Sequence, residues 1–380
     1  MRKKQTIITT IMSNSQNPDS WQLPFFDPTK PVLLTQGDPH GIGPEIILKC
    51  LSLKIESPII IIGSPEVFQY YASRYNIELN FTPYSQDVNN TELLTTSQKG
   101  SEYTKPQFTL RMLSSSSFPN SLDVGFYFYP IPYHYEIKPG NLSDRAGMHS
   151  LSCLDYAINL LKENKSSCLI TAPINKQAIQ KHNPNFIGHT EYLANSFHYE
   201  SDQVTMSFIS DPLKVFLVTT HVGIRQLPDK LSDDILIRTI HHATKMIHSC
   251  KDSRPLALMS LNPHAGEGGA FGDEEKTRFV PLVQKMKVSG ISIEGPFSND
   301  ALWRDYHKQD YSGYVALYHD SGLIPIKMVT QGKCANVTLG LPCWRLSVDH
   351  GTGYDIVNKG MANPESLKYI LTHLSKLIPN

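Results

Sequence analysis

The chain has 380 residues, with 35 Lys and Arg against 35 Asp and Glu, and an apolar share of 40%. That length buries enough surface for two domains. The even charge gives no electrostatic footprint for nucleic acid, and no run of about 18 apolar residues is present to cross a bilayer, so the expected partner is a small molecule.

Cysteines stand at 50, 153, 168, 250, 334 and 343 without a CxxC pair. They read as free thiols of a cytoplasmic protein rather than a disulfide framework. The chain opens Met1-Arg2-Lys3-Lys4, but the following apolar stretch is short, rich in Thr and lacks a small-residue cleavage site. A secretory leader is therefore rejected, and Met12 is an alternative start.

Residues 1–29 are polar and aperiodic and predict a loose tail. Residues 31–35 read as a strand, and 44–53 as a helix with Pro44 in its first turn. The apolar run 58–62 reads as a buried strand and 66–75 as a helix. Residues 81–122, rich in Ser, Thr, Asn and Gln, predict an irregular excursion shaped as a surface hairpin. Helical spacing over 146–165 precedes a strand at 168–171, and strands at 204–209 and 215–219 flank Asp211-Pro212 as a hairpin. A helix over 231–249, a strand at 256–261, strands at 315–318 and 336–339, and a helix over 364–377 follow. The alternation predicts an α/β sheet with helices on both faces, and ligands just past the C-terminal strand ends.

Three histidines directly follow strands, in Thr219-Thr220-His221, Asn262-Pro263-His264 and Tyr318-His319-Asp320. One such His is usually a hydrogen-bonded structural residue. Three in the same topological position are also the donor set of a catalytic Zn²⁺ or similar divalent ion with an open position. The loop after His264 carries Gly266, Gly268, Gly269 and Gly272, then Asp273-Glu274-Glu275 at a helix start. It reads either as a flexible loop or as one beside a metal or cofactor. The acids already occupy the positive pole of that helix, which argues against a phosphate seated there.

No G-x-G-x-x-G follows the first strand; Gly37-Asp38-Pro39-His40-Gly41-Ile42-Gly43 stands instead, so a standard Rossmann site is not expected. Lys327 and Arg345 lie in apolar surroundings, where a phosphate clamp competes with solvated surface charge. Thr190 reads as a helix N-cap, a ligand contact, or both.

Together with Thr171-Ala172-Pro173-Ile174-Asn175-Lys176, Gly188-His189-Thr190-Glu191, the Asn262 to Gly269 loop, Tyr318-His319-Asp320 and Asn336-Val337-Thr338-Leu339, the segment from Ser347 to Pro364 resembles the ordered signatures of the 4-hydroxythreonine-4-phosphate dehydrogenase family, over about residues 31–375. That last segment is also similar to the signature of isocitrate and isopropylmalate dehydrogenases. The resemblance implies two α/β/α domains with a cleft between them, 30–155 plus 315–380 on the cofactor side and 156–314 on the metal and dimer side. It implies His221, His264 and His319 as ligands of Zn²⁺, Mg²⁺ or Co²⁺. His189, Thr190, Lys327, Asn336 and Arg345 fall at its substrate contacts, and Gly351 and Asp355 at the cofactor.

Asp320, Asp300 and Lys176 are candidates for the catalytic proton acceptor. A carboxylate at Asp355 beside the adenosine ribose implies NAD rather than NADP. The implied reaction oxidises C3 of 4-phosphohydroxy-L-threonine and then decarboxylates it to 3-amino-2-oxopropyl phosphate, in pyridoxal 5′-phosphate biosynthesis. The implied assembly is a homodimer with the active site at the interface. Ser321 departs from the family's Gln and Asn175 from its frequent His. The departure at Ser321 keeps a 4-phospho-D-threonate or 4-phospho-D-erythronate dehydrogenase open. An acyltransferase of the phosphotransacetylase kind, or a silent binding protein, are alternatives of other classes.

Overall fold

The computed structural model describes residues 22–85, 105–114, 118–119, 121–200 and 203–378. The first 21 positions of the expected tail, and 86–104, 115–117 and 120 of the expected excursion, lie outside the described residues. The strands, in chain order, are β1 (Val32–Thr35), β2 (Ile59–Gly63), β3 (Glu78–Pro83), β4 (Gln107–Met112), β5 (Phe126–Pro130), β6 (Cys168–Thr171), β7 (Thr205–Ile209), β8 (Lys214–Leu217), β9 (Leu256–Met259), β10 (Ile293–Phe297), β11 (Gly313–Ala316), β12 (Ala335–Leu339) and β13 (Trp344–Ser347). They divide between two compact units. One comprises Phe25–His198 with Cys343–Ile378, and the other Tyr199–Pro342.

In the first unit the order β13-β6-β1-β2-β5-β4-β3 is parallel throughout. Strands β1, β2, β6 and β13 are buried along their whole length. Continuous apolar runs suit a parallel sheet covered on both faces. The long helix Asp144–Lys162 starts at Ser143, whose side chain accepts from the Ala146 N–H, and buries Ala146, Cys153, Leu154, Ala157 and Leu161. This spacing is the one-sided stripe of an amphipathic helix.

Three expectations change here. Residues 81–122 do not form a hairpin: β3 and β4 pair in parallel, which needs a crossover far longer than a hairpin turn. Strand β3 alternates exposed and buried positions, so its composition is polar although its backbone is regular. The expected tail is tied down at its described end, where Phe26 is buried and the Asp27 N–H donates to Ser167 Oγ at 3.0 Å. The exchange points expected at 155/156 and 314/315 fall instead at 198/199 and 342/343. The pairings explain this: β6 adds to β1, and β11 lies between β8 and β9.

The second unit has the order β10-β9-β11-β8-β7-β12. Strands β8, β11, β9 and β10 are mutually parallel. Strand β7 runs antiparallel to both β8 and β12. The expected hairpin turn is present, with Ser210 Oγ donating to the Leu213 carbonyl at 3.0 Å. Beneath the sheet, Val215, Leu217, Met259, Ala316, Leu323 and Ile326 share one core. The helix His319–Thr330 lies close on β8 and β11 because position 322 is Gly: a Cβ there would stand 2.7 Å from Val215 and 2.9 Å from Ala316.

Candidate active site

In the Tyr199–Pro342 unit the candidate metal donors leave three adjacent parallel strands at the same edge. His221 follows β8, His319 follows β11 and His264 follows β9. The first two are held in register. Thr219 Oγ1 donates to the Leu317 carbonyl at 2.7 Å, and the Val218 N–H donates to Ala316 at 2.9 Å. Their rings lie 5.8 Å apart between centroids. His319 Nδ1 lies 2.7 Å from Asp320 Oδ1. A carboxylate only accepts, so Nδ1 carries the proton and Nε2 presents its lone pair. Among the described residues, no group of three or more His, Cys, Asp or Glu side chains converges closely enough to hold a metal ion, so the three histidines share a strand edge without meeting at one point.

His264 begins an unusual loop. Residues 264 to 268 have φ of 52°, 51°, 76°, 41° and 69°, all left-handed. Three of them, His264, Ala265 and Glu267, carry side chains, and each costs roughly 1–2 kcal/mol in that region. The loop is anchored by Glu275, only 3% exposed. Its Oε1 accepts from the Leu261 and Asn262 N–H groups, each at 2.8 Å, and its Oε2 from Asn262 Nδ2 at 2.8 Å. Asn299 ties the end of β9 to the next helix, its Oδ1 accepting from the Ser260 N–H at 3.1 Å. Asp300 is the next residue, in the first turn of that helix. Asp300 is exposed, and a hydrogen bond from Ser298 holds its carboxyl below the usual range, with the Ala301 N–H helping.

Lys327 is exposed, not shielded as its apolar sequence neighbours predict. Asn336 lies on β12, and its side-chain oxygen is shielded without a partner among the described residues.

In the other unit a basic cluster gathers where β6 and β13 run side by side. Arg345, 3% exposed, donates from Nη2 to Thr171 Oγ1 at 2.9 Å. Burial pulls its guanidinium down to about 10, against the attraction of Glu191. His189 opens the helix His189–Ser196, and Gly188 is the N-cap. Thr190 is therefore not the cap. Burial, followed by the charges of Arg345 and Lys176, holds His189 well below the usual imidazole range. Its shielded Nε2 has no partner among the described residues. Such an atom is satisfied by a water or ligand group. Lys176 Nζ and Glu191 Oε2 both come within 3.4 Å of where a Gly188 Cβ would stand. The structure thus brings His189, Lys176, Glu191 and Arg345 together.

The same unit carries a network that reading the sequence missed. Strand β1 has β2 on one side and β6 on the other, the switch point where open α/β sheets bind ligands. Asp38, fully buried, accepts from Tyr354 Oη at 2.6 Å and from the His40 N–H at 2.8 Å. Burial nonetheless raises its carboxyl above the usual range. His40 Nδ1 faces the Asn141 carbonyl at 2.9 Å, and the Lys138 N–H donates to Nε2 at 3.2 Å, so Nδ1 carries the proton. Glu45 is fully buried; it accepts from Lys49 Nζ at 2.7 Å, the Ala362 N–H at 3.0 Å and Tyr75 Oη at 2.6 Å. These contacts pin the 349–363 segment that carries Gly351 and Asp355. Asp355 is exposed, and a Cβ on Gly351 would meet nothing within 4 Å. His350 Nε2 and Asn358 Oδ1 are shielded and unpartnered among the described residues, which fits a polar ligand along this segment. The signal for the network is the run Gly37 to Glu45, which as bare sequence says only that a Rossmann fingerprint is missing.

A family profile for pyridoxal phosphate biosynthetic protein PdxA matches residues 54–372. The chain belongs to this family. Among PdxA-family relatives, a 4-hydroxythreonine-4-phosphate dehydrogenase of Sulfurihydrogenibium sp. is 32% identical over 88% of this chain and 94% of its own length. A protein provisionally named D-threonate 4-phosphate dehydrogenase, from Oceanobacillus iheyensis, is 33% identical over 92% of this chain and 98% of its own. The crystal structure of 4-hydroxythreonine-4-phosphate dehydrogenase from Klebsiella pneumoniae superposes with a TM-score of 0.72 at 29% identity, covering 92% of this chain and 98% of that one. As a PdxA-family member with relatives so named, the chain is an oxidoreductase of the α/β class. The acyltransferase and silent-binder alternatives fall away. No described helix is long and apolar enough to cross a membrane.

Proposed function

We propose that this PdxA-family chain oxidises 4-phosphohydroxy-L-threonine at C3 with NAD and a divalent metal, and that the product then loses CO₂ to give 3-amino-2-oxopropyl phosphate. The observation that carries the reading is the trio of histidines at the ends of β8, β11 and β9, with the His221 and His319 rings 5.8 Å apart. The donor chemistry fits: three imidazoles, one with its tautomer set by Asp320. His221, His264 and His319 would hold Zn²⁺, Mg²⁺ or Co²⁺, whose Lewis acidity lowers the pKa of the C3 hydroxyl and polarises the later ketone.

Within this reading Lys327, Asn336 and Arg345 are each candidate phosphate contacts, Arg345 with a planar fork set by Thr171. His189, kept neutral, and Thr190 orient the substrate. Asp320 is engaged with His319, so its part is to orient that ligand. The C3 hydroxyl proton passes to ionised Asp300 while hydride leaves C3 for NAD; Lys176, the other candidate, can accept it only after shedding its own ammonium proton. The orphaned atoms of His350 and Asn358 support placing the dinucleotide along 349–363, where Asp355 accepts ribose hydroxyls and repels a 2′-phosphate.

A D-threonate 4-phosphate substrate is the second reading, carried by the Oceanobacillus relative. Ser321 does not decide between them. Its hydroxyl donates to the Tyr318 carbonyl at 2.7 Å, and its own carbonyl accepts from Trp303 Nε1. A homodimer is supported by large apolar side chains left exposed on the unit that carries the histidines, Ile224 at 70%, Met328 at 72% and Phe271 at 52%.

The test is NADH absorbance on mixing the protein with 4-phosphohydroxy-L-threonine, NAD and each metal, with His264→Ala alongside. Metal-dependent NADH that vanishes in the variant supports the reading. Turnover of 4-phospho-D-threonate alone moves the assignment to the second substrate, and silence with both refutes it.

A further inference from the structure

We propose that Glu275 is a positioning residue for His264, its buried carboxylate setting the left-handed loop that aims this imidazole. The inference rests on the reading of His264 as a metal donor. The loop leaves β9 at its C-terminal edge, stays extended through Asn262, and is left-handed from His264 over five consecutive residues. Side chains at 264, 265 and 267 disfavour that conformation, so a contact outside the loop must impose it.

Glu275 is that contact. Its carboxylate receives the last two backbone donors before the turn, at Leu261 and Asn262, together with the Asn262 side-chain amide. The second hydrogen of that amide goes to Glu274 Oε2 at 2.7 Å. The middle of the loop rests on the same carboxylate, since a Cβ on Gly266 would stand 3.0 Å from Glu275 Oε2 and 2.7 Å from the Gly272 carbonyl. The base and the centre of the loop therefore share one anion. A Gln at 275 keeps the shape but not the chemistry: its NH₂ must face either two backbone N–H groups or the Asn262 amide, donor against donor. With that anchor lost, the residues after Asn262 relax towards right-handed geometry, and the His264 ring turns away.

The experiment titrates the full chain with Co²⁺, read by cobalt's visible absorption, for the unmodified protein, Glu275→Gln and Ala265→Gly. Amide hydrogen exchange over 261–272 is measured on the same samples. Glu275→Gln should weaken Co²⁺ binding about 10- to 100-fold, the size typical of an outer-shell partner, and speed exchange at Leu261 and Asn262. Ala265→Gly, which favours a left-handed backbone, should tighten Co²⁺ binding and restore part of the affinity in the double variant. If Glu275→Gln does not fold, Ala265→Gly alone decides, and unchanged or weaker binding overturns the inference. Equal Co²⁺ affinity in Glu275→Gln, with only a lower thermal midpoint, marks a merely structural residue and also overturns it. No Co²⁺ binding by the unmodified chain would remove the metal reading and this inference with it.

Discussion

At the scale of single residues, burial decides what each candidate can do. Asp355 sits exposed within the 349–363 segment, its carbonyl accepting from Lys359 Nζ at 2.6 Å. Its carboxylate is therefore open to whatever docks there. Asp355→Asn should raise the preference for NADP over NAD, as a ratio of kcat/KM, by about tenfold, equivalent to ~1.4 kcal/mol. An unchanged ratio would remove Asp355 from cofactor recognition. Arg345 and His189 show the opposite case. Shielding from water keeps His189 neutral and leaves Arg345 a planar fork already seated on Thr171, so both are preorganised before a ligand arrives.

At the scale of elements, the helix Gly43–Leu48 and the 349–363 segment are joined through one buried carboxylate. Glu45 receives three donors, and Lys49 also donates to the carbonyls of Gly360 and Ala362 at 2.8 and 2.7 Å. Removing one partner of a buried pair strands the other charge. Lys49→Met should lower the unfolding free energy by about 3 kcal/mol and raise the KM for NAD, since the cofactor segment loses its tether. Urea denaturation and initial rates measure the two. A loss of stability with an unchanged KM would confine Glu45 to holding the fold.

The helix Asp233–Ser249 carries a second consequence of burial. His242 is fully buried, with Nδ1 2.8 Å from Thr205 Oγ1, and burial, then Arg238, pulls its imidazole down to about 3. His241 is lowered to about 4, again chiefly by burial. Both bind protons more readily when unfolded. Their stabilisation is fully present above the ordinary 6.5 and is lost as pH falls towards 4 and 3. The unfolding free energy from urea denaturation should fall between pH 7 and 5, by on the order of 2 kcal/mol per histidine. His242→Gln should flatten that slope.

At the scale of the whole molecule, the exposed Ile224, Phe271, Ile324 and Met328 call for a covering surface. On the homodimer reading, Met328→Lys should yield a monomer by light scattering with impaired turnover. The thermal midpoint of the isolated chain should barely move, because a substitution at a solvent-exposed site costs little by itself. A monomeric unmodified protein would end that reading.

The sequence by itself determined the α/β class, most strand and helix centres, the hairpin at Asp211-Pro212 and the order of the family motifs. Apolar runs, helical spacing and turn residues are local signals, and each needs only a few neighbouring positions. Pairing is not local. That β3 and β4 run parallel, that β6 joins β1 and that β11 sits between β8 and β9 follow from which buried faces fit together. Those choices moved the boundaries between the units and brought three histidines, far apart in the chain, to one strand edge. Buried polar roles were equally hidden. Glu275 and Glu45 look like surface acids in the sequence, and only the tertiary structure made them anchors, because a carboxylate cut off from water must collect whatever donors the fold places around it.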